Sequence, residues 1–126
     1  GYVEQHGQPT TVNDMPNNQL VGFDETLSMH RASVWLRNVA PDVKMSARTN
    51  SVLGLIYAVK SGLGLGPLPA SLGDAEPDLV RVLGPIPDLS RSWRLLTHPD
   101  LRQVPRIAAF FDFILAEREL VKSILA

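Results

Sequence analysis

The fold turns on Arg48-Thr49-Asn50-Ser51-Val52-Leu53-Gly54-Leu55-Ile56-Tyr57-Ala58-Val59-Lys60-Ser61-Gly62-Leu63-Gly64-Leu65-Gly66-Pro67-Leu68-Pro69. Just before it, Val43-Lys44-Met45-Ser46-Ala47-Arg48 alternates apolar and polar residues, the pattern of a strand with one buried face. Thr49-Asn50-Ser51 is a cluster of helix-capping residues. Residues 52–59 are apolar almost all the way round, which predicts a helix sandwiched between other elements. Ser61-Gly62 stops that helix, and Lys60 stands at its negative end. Residues 63–68 form a second apolar run, punctuated by Gly64, Gly66 and Pro67. Strand, helix and strand thus follow one another, and such a unit joins parallel strands.

Working outward, residues 2–7 predict one helical turn, stopped by Gly7 and Pro9. Thr10-Thr11 with Asp14 form a partial capping box. Residues 19–23 read as a short strand, and 32–40 as a short amphipathic helix ended before Pro41. Downstream, residues 79–83 read as a strand by β-branched content, and Gly84-Pro85-Ile86-Pro87-Asp88 as a stiff linker and domain boundary. Residues 92–97 resume as a strand. A last helix over 105–124 starts near Pro105 and carries Ile107, Phe110, Phe111, Ile114, Leu115, Val121 and Ile124. The expected class is α/β.

Composition narrows the function. The chain has 126 residues, enough for one domain or one lobe of a two-lobe domain. Twelve basic against thirteen acidic residues leave a net charge of −1, without the basic excess of a module that grips duplex DNA unaided. There is no cysteine, so disulfides and thiol-based metal sites are excluded. No apolar run approaches the roughly 18 residues needed to cross a bilayer. The first residues lack the basic start and apolar stretch of a signal peptide, so the default expectation is cytoplasmic.

Several stretches, taken in order, resemble the C-terminal half of the effector-binding domain of LysR-type transcriptional regulators. They are the polar cap, apolar helix and Gly-Leu-Gly strand of residues 48–69, then Leu79-Val80-Arg81-Val82-Leu83. The closing strand, turn and helix are Leu95-Leu96-Thr97-His98-Pro99-Asp100-Leu101-Arg102-Gln103-Val104-Pro105-Arg106-Ile107, followed by Phe110-Phe111-Asp112-Phe113. The resemblance implies a type 2 periplasmic-binding-protein-like fold: a lobe with a mixed sheet flanked by helices, plus a returning strand and C-terminal helix of the other lobe. It places residues 1–88 in effector-binding subdomain II and 89–126 in subdomain I. The first half of subdomain I and the DNA-binding domain have no counterpart in these residues, so DNA is expected as a partner only through a domain outside them. Self-association is expected as well, because strand 92–97 and helix 105–124 would present a large apolar face. The runner-up is a periplasmic-type solute-binding protein of a transport system.

Thr49, Asn50 and Ser51 admit two readings. A helix N-terminus has unpaired N–H groups and a partial positive charge, so it can hold a carboxylate. The same residues can simply cap the helix. The resemblance points to effector binding by Thr49, Asn50 and Ser51, with Pro67 near the cleft floor and a small molecule such as an organic acid as ligand. No catalytic residue, metal site or cofactor is expected. Gly62-x-Gly64-x-Gly66 follows a helix and enters a strand, the reverse of the order a dinucleotide loop requires. His6, His30 and His98 lack metal-ligand spacing. Asp24, Ser28, His30 and Ser33 lack a nucleophile elbow, and Asp24-Glu25, adjacent on extended chain, point to opposite faces. Trp35 and Trp93 fit a core or a lobe interface. Arg91 and Arg94 read as surface charges.

Overall fold

A computed structural model describes residues 1–125. The chain divides into two compact units, Gly1–Ser90 and a second from Arg91 onward.

The first unit opens with helix α1 (Tyr2–His6) and a 3-10 helix, Val12–Asn17. Tyr2 is buried, and its hydroxyl accepts from the Gln19 N–H at 2.7 Å, which ties α1 to the start of the sheet. The Asp14 carboxylate accepts from the backbone N–H groups of Thr10 and Thr11, both at 2.9 Å, and so forms part of the expected box. Those bonds favour the ionised form and hold its pKa below the ordinary value.

Strand β1 (Val21–Phe23) leads through a 3-10 turn, Glu25–Leu27, into helix α2 (Arg31–Val39). Strand β2 (Ala47–Thr49) then pairs parallel to β1, with Val21 opposite Ala47 and Phe23 opposite Thr49. Helix α3 (Val52–Lys60) carries the chain back across β1 to its other side, where Leu65 forms a parallel bridge with Leu20. β1 is therefore the middle strand, reached from both flanks by parallel crossovers.

Side-chain alternation along β1 distributes the helices. Leu20 packs in one cluster with Trp35, Leu36 and Leu65, while Val21 and Phe23 pack in another with Leu55. α2 thus covers one face and α3 the other, as the doubly wound arrangement requires. Burying a leucine fully stabilises by roughly 1.5–3 kcal/mol, and Leu20, Leu36 and Leu55 are all fully buried. Gly64 makes the return possible. Its φ is +149°, and a Cβ there would collide with the Gln19 carbonyl that accepts from the Leu65 N–H at 2.8 Å.

Several expectations need correction. The sheet is purely parallel among the described residues, not mixed. The expected strand at 63–68 shrinks to the Leu65 bridge because Pro67 has no N–H to donate. Residues 79–83 are irregular chain: Val82 and Leu83 bury apolar surface against the first cluster without joining a ladder. Only one face of α3 is covered, since Leu53 (66 % exposed) and Tyr57 (67 %) point to solvent. After Lys60 comes helix α4 (Ala70–Gly73), and Lys60 itself pairs with Glu76 and Asp78. The Glu76 hydrogen bond leads the upward shift of the Lys60 pKa, and the charge of Asp78 adds to it.

In the second unit, residues 92–97 are irregular, not the returning strand expected, and form no ladder with any described residue. The expected single helix is two, α5 (Pro105–Ala116) and α6 (Arg118–Leu125), separated at Glu117. Trp35 is buried as expected, whereas Trp93 is 75 % exposed.

Candidate functional site

The three parallel segments end on one edge of the sheet. Asp24 follows β1, Thr49-Asn50-Ser51 closes β2, and Gly66-Pro67 follows the Leu65 bridge. In open α/β sheets, ligands bind outside these carboxyl ends, where successive connections leave to opposite faces. α2 and α3 leave in that way here.

Thr49 is half-buried and anchors the edge. Its carbonyl accepts from the Asp24 N–H at 2.8 Å, and its Oγ1 accepts from the Ser51 N–H at 3.4 Å. The same hydroxyl lies over the first turn of α3, in space that a side chain at Gly54 would occupy. Ser51 is the N-cap, and its Oγ accepts from the Gly54 N–H at 3.0 Å. The capping reading of Ser51 therefore holds, while its O–H remains free to donate elsewhere. Asn50 is exposed, and its amide has no hydrogen-bond partner among the described residues. The N–H groups of Val52 and Leu53 are likewise unpaired among the described residues, as the first turn of a helix leaves them. Pro67 is half-buried at the end of the third segment.

Asp24, a neighbour that sequence reasoning placed in a solvated loop, follows β1 at this edge and caps the 3-10 turn Glu25–Leu27. Its Oδ1 caps its own turn, accepting from the Thr26 N–H at 2.9 Å and from the Thr26 hydroxyl at 2.5 Å. The start of α3 thus presents donors to which no carboxylate is hydrogen-bonded among the described residues. Sequence reasoning missed Gly54, whose lack of a side chain lets Thr49 close over the helix. A glycine inside an otherwise apolar helix was the available signal.

The α2 face holds a cavity of about 180 Å³, lined by Gly22, Leu36 and Met45 together with the charged residues Asp24, Glu25, Arg37 and Arg48. No group of three or more His, Cys, Asp or Glu side chains suited to a metal ion occurs among the described residues. No described helix is long and apolar enough to cross a membrane.

A family model described as the LysR substrate binding domain matches residues 1–119. The chain belongs to that family. The family is one of regulatory, ligand-binding domains with a type 2 periplasmic-binding-protein-like fold. No curated protein and no solved structure matches the chain. The expected resemblance to LysR-type regulators is therefore shown, and the solute-binding alternative is not favoured.

Proposed function

We propose that this LysR-family chain is the effector-sensing part of a transcriptional regulator, holding a small organic acid at the sheet edge formed by Thr49, Asn50, Ser51 and Pro67. The supporting observation is the start of α3, where two unpaired backbone N–H groups stand beside the uncommitted amide of Asn50 and the free O–H of Ser51. A carboxylate there would gain charge-assisted hydrogen bonds and the favourable end of the helix dipole. Thr49 positions the pair by locking the end of β2 onto the first turn of α3.

In this reading residues 1–88 form effector-binding subdomain II, and 89–126 the part that belongs to subdomain I. Effector held between the two lobes shifts their closure equilibrium as far as its differential affinity for the two states allows. That shift reaches DNA through a domain outside these residues, in the cytoplasm, and no catalytic step is involved. The apolar side chains of α5 and α6 make self-association part of the same reading.

The test is calorimetric titration of the chain with pyruvate, succinate and benzoate, repeated on Asn50→Ala combined with Ser51→Ala. Binding of one of these acids, weakened at least about tenfold by the double substitution, is the expected result. Equal affinity in the variant would remove the assignment.

A further inference from the structure

A second site lies on the opposite face of the sheet from the Thr49–Gly54 contact, and it does not depend on the reading above. Strand alternation puts Arg48 opposite Gly22 and on the α2 side, whereas Thr49 packs on the α3 side. At Gly22 an added Cβ would stand 3.3 Å from Leu36 Cδ1 and 3.4 Å from Met45 Sδ, so the missing side chain leaves an apolar floor. Four charged residues line the same cavity: Arg37, Arg48, Asp24 and Glu25.

These charges do not neutralise one another. Among the described residues no ion pair joins either arginine to Asp24 or Glu25. Arg37 donates one N–H to the Ser28 carbonyl at 2.8 Å and keeps the rest of its fork, and the Arg48 side chain has no hydrogen-bond partner among the described residues. Asp24 commits only Oδ1, to its own turn. Opposite charges held apart around an apolar floor complement a molecule that carries both signs and a short apolar body.

From this we infer that the α2-face cavity binds a free α-amino acid with a small apolar side chain. Its carboxylate lies against the guanidinium groups of Arg48 and Arg37, the geometry in which arginine binds carboxylates best. Its ammonium lies toward Asp24 and Glu25, and its side chain rests on Gly22, Leu36 and Met45. Size agrees. At about 180 Å³ the cavity is smaller than the roughly 300–1,000 Å³ that takes drug-sized ligands, which limits the occupant to a molecule of about the size of a single small amino acid.

The experiment is calorimetry on the full chain with three probes: L-leucine, its methyl ester, which lacks the carboxylate, and 4-methylpentanoate, which lacks the ammonium. Leucine is expected to bind with one-to-one stoichiometry, and each half-analogue at least about tenfold more weakly. Arg48→Ala should reduce leucine to the affinity of the ester while leaving the ester itself unchanged. Arg48→Gln, which keeps the stem, should behave in the same way, and circular dichroism checks that both variants fold. The inference is overturned if alanine, valine, leucine and methionine all fail to bind at about 10 mM. It is equally overturned if leucine keeps full affinity in both Arg48 variants, or if Asn50→Ala abolishes binding that Arg48→Ala spares.

Discussion

The two units differ in what their apolar residues accomplish. In Gly1–Ser90 they are layered: α2 and α3 sandwich β1, and every buried apolar side chain among the described residues belongs to this unit. From Arg91 onward, Phe110, Phe113, Leu115, Leu120 and Ile124 are all exposed. What order there is comes from local contacts, such as the Arg102 guanidinium 4.6 Å above the Phe111 ring and the edge-on packing of Phe110 on Phe111. Apolar content is similar in kind, yet among the described residues the first unit alone has a second layer to bury it against. A core needs opposed faces, and a pair of consecutive helices offers too few.

The largest effect expected from this contrast is between Leu55→Ala and Phe113→Ala. Leu55 is 0 % exposed and should cost about 2–5 kcal/mol in urea unfolding. Phe113 is 62 % exposed and should stay within about 0.5 kcal/mol. Equal costs would show that the second unit is buried in solution, and light scattering that rose with concentration would then assign the burial to a second copy. Next comes Gly64→Ala. Its strained φ alone should cost about 1–3 kcal/mol, and the collision with Gln19 adds to it. A neutral Gly64→Ala would mean that the Leu65 bridge is dispensable to the first unit.

Much of the first unit was legible. Thr49-Asn50-Ser51 and Ser61-Gly62 bracket α3 because capping and stopping are local chemistry, written within one helical turn. The parallel relation of β2 and the Leu65 segment followed from the helix between them. Residues 79–83 and 92–97 were misread for a common reason. β-branched and aromatic content makes a strand possible, but a strand exists only through a partner, which no local pattern names. The break at Glu117 had no signal either, for Ala116-Glu117-Arg118 contains neither glycine nor proline. Of the site, the sheet edge was visible as a cap. The α2-face cavity was not, because Gly22, Leu36, Met45 and Arg48 meet only once the sheet is formed.

Smaller effects sharpen the contrast within the first unit itself. Ser51→Ala should lower stability by about 1 kcal/mol and the melting temperature by a few degrees, while Asn50→Ala should leave both nearly unchanged. A large loss in Asn50→Ala would make it a structural residue and weaken its assignment to ligand. The smallest effect is that of Asp14. Its folded pKa lies below its unfolded value near 3.8, so its contribution is present above that pH and is lost as pH falls through the folded value. Asp14→Asn should therefore be less stable than the parent at pH 7, and the two should converge in acid. A gap that persisted below the folded pKa would assign the effect to packing.

The central position of β1 also sets an order of events. It is made before both of its neighbours, yet the chain reaches them only through α2 and then α3. During synthesis, which proceeds from the N-terminus, its ladder groups stay unsatisfied on both edges until β2 emerges, and on one edge until Leu65 follows. Parallel pairs also close long loops before any pairing rewards them. The apolar segment Leu20-Val21-Gly22-Phe23 is thus the part of a nascent chain most open to pairing with another, and the place where a chaperone would do the most good.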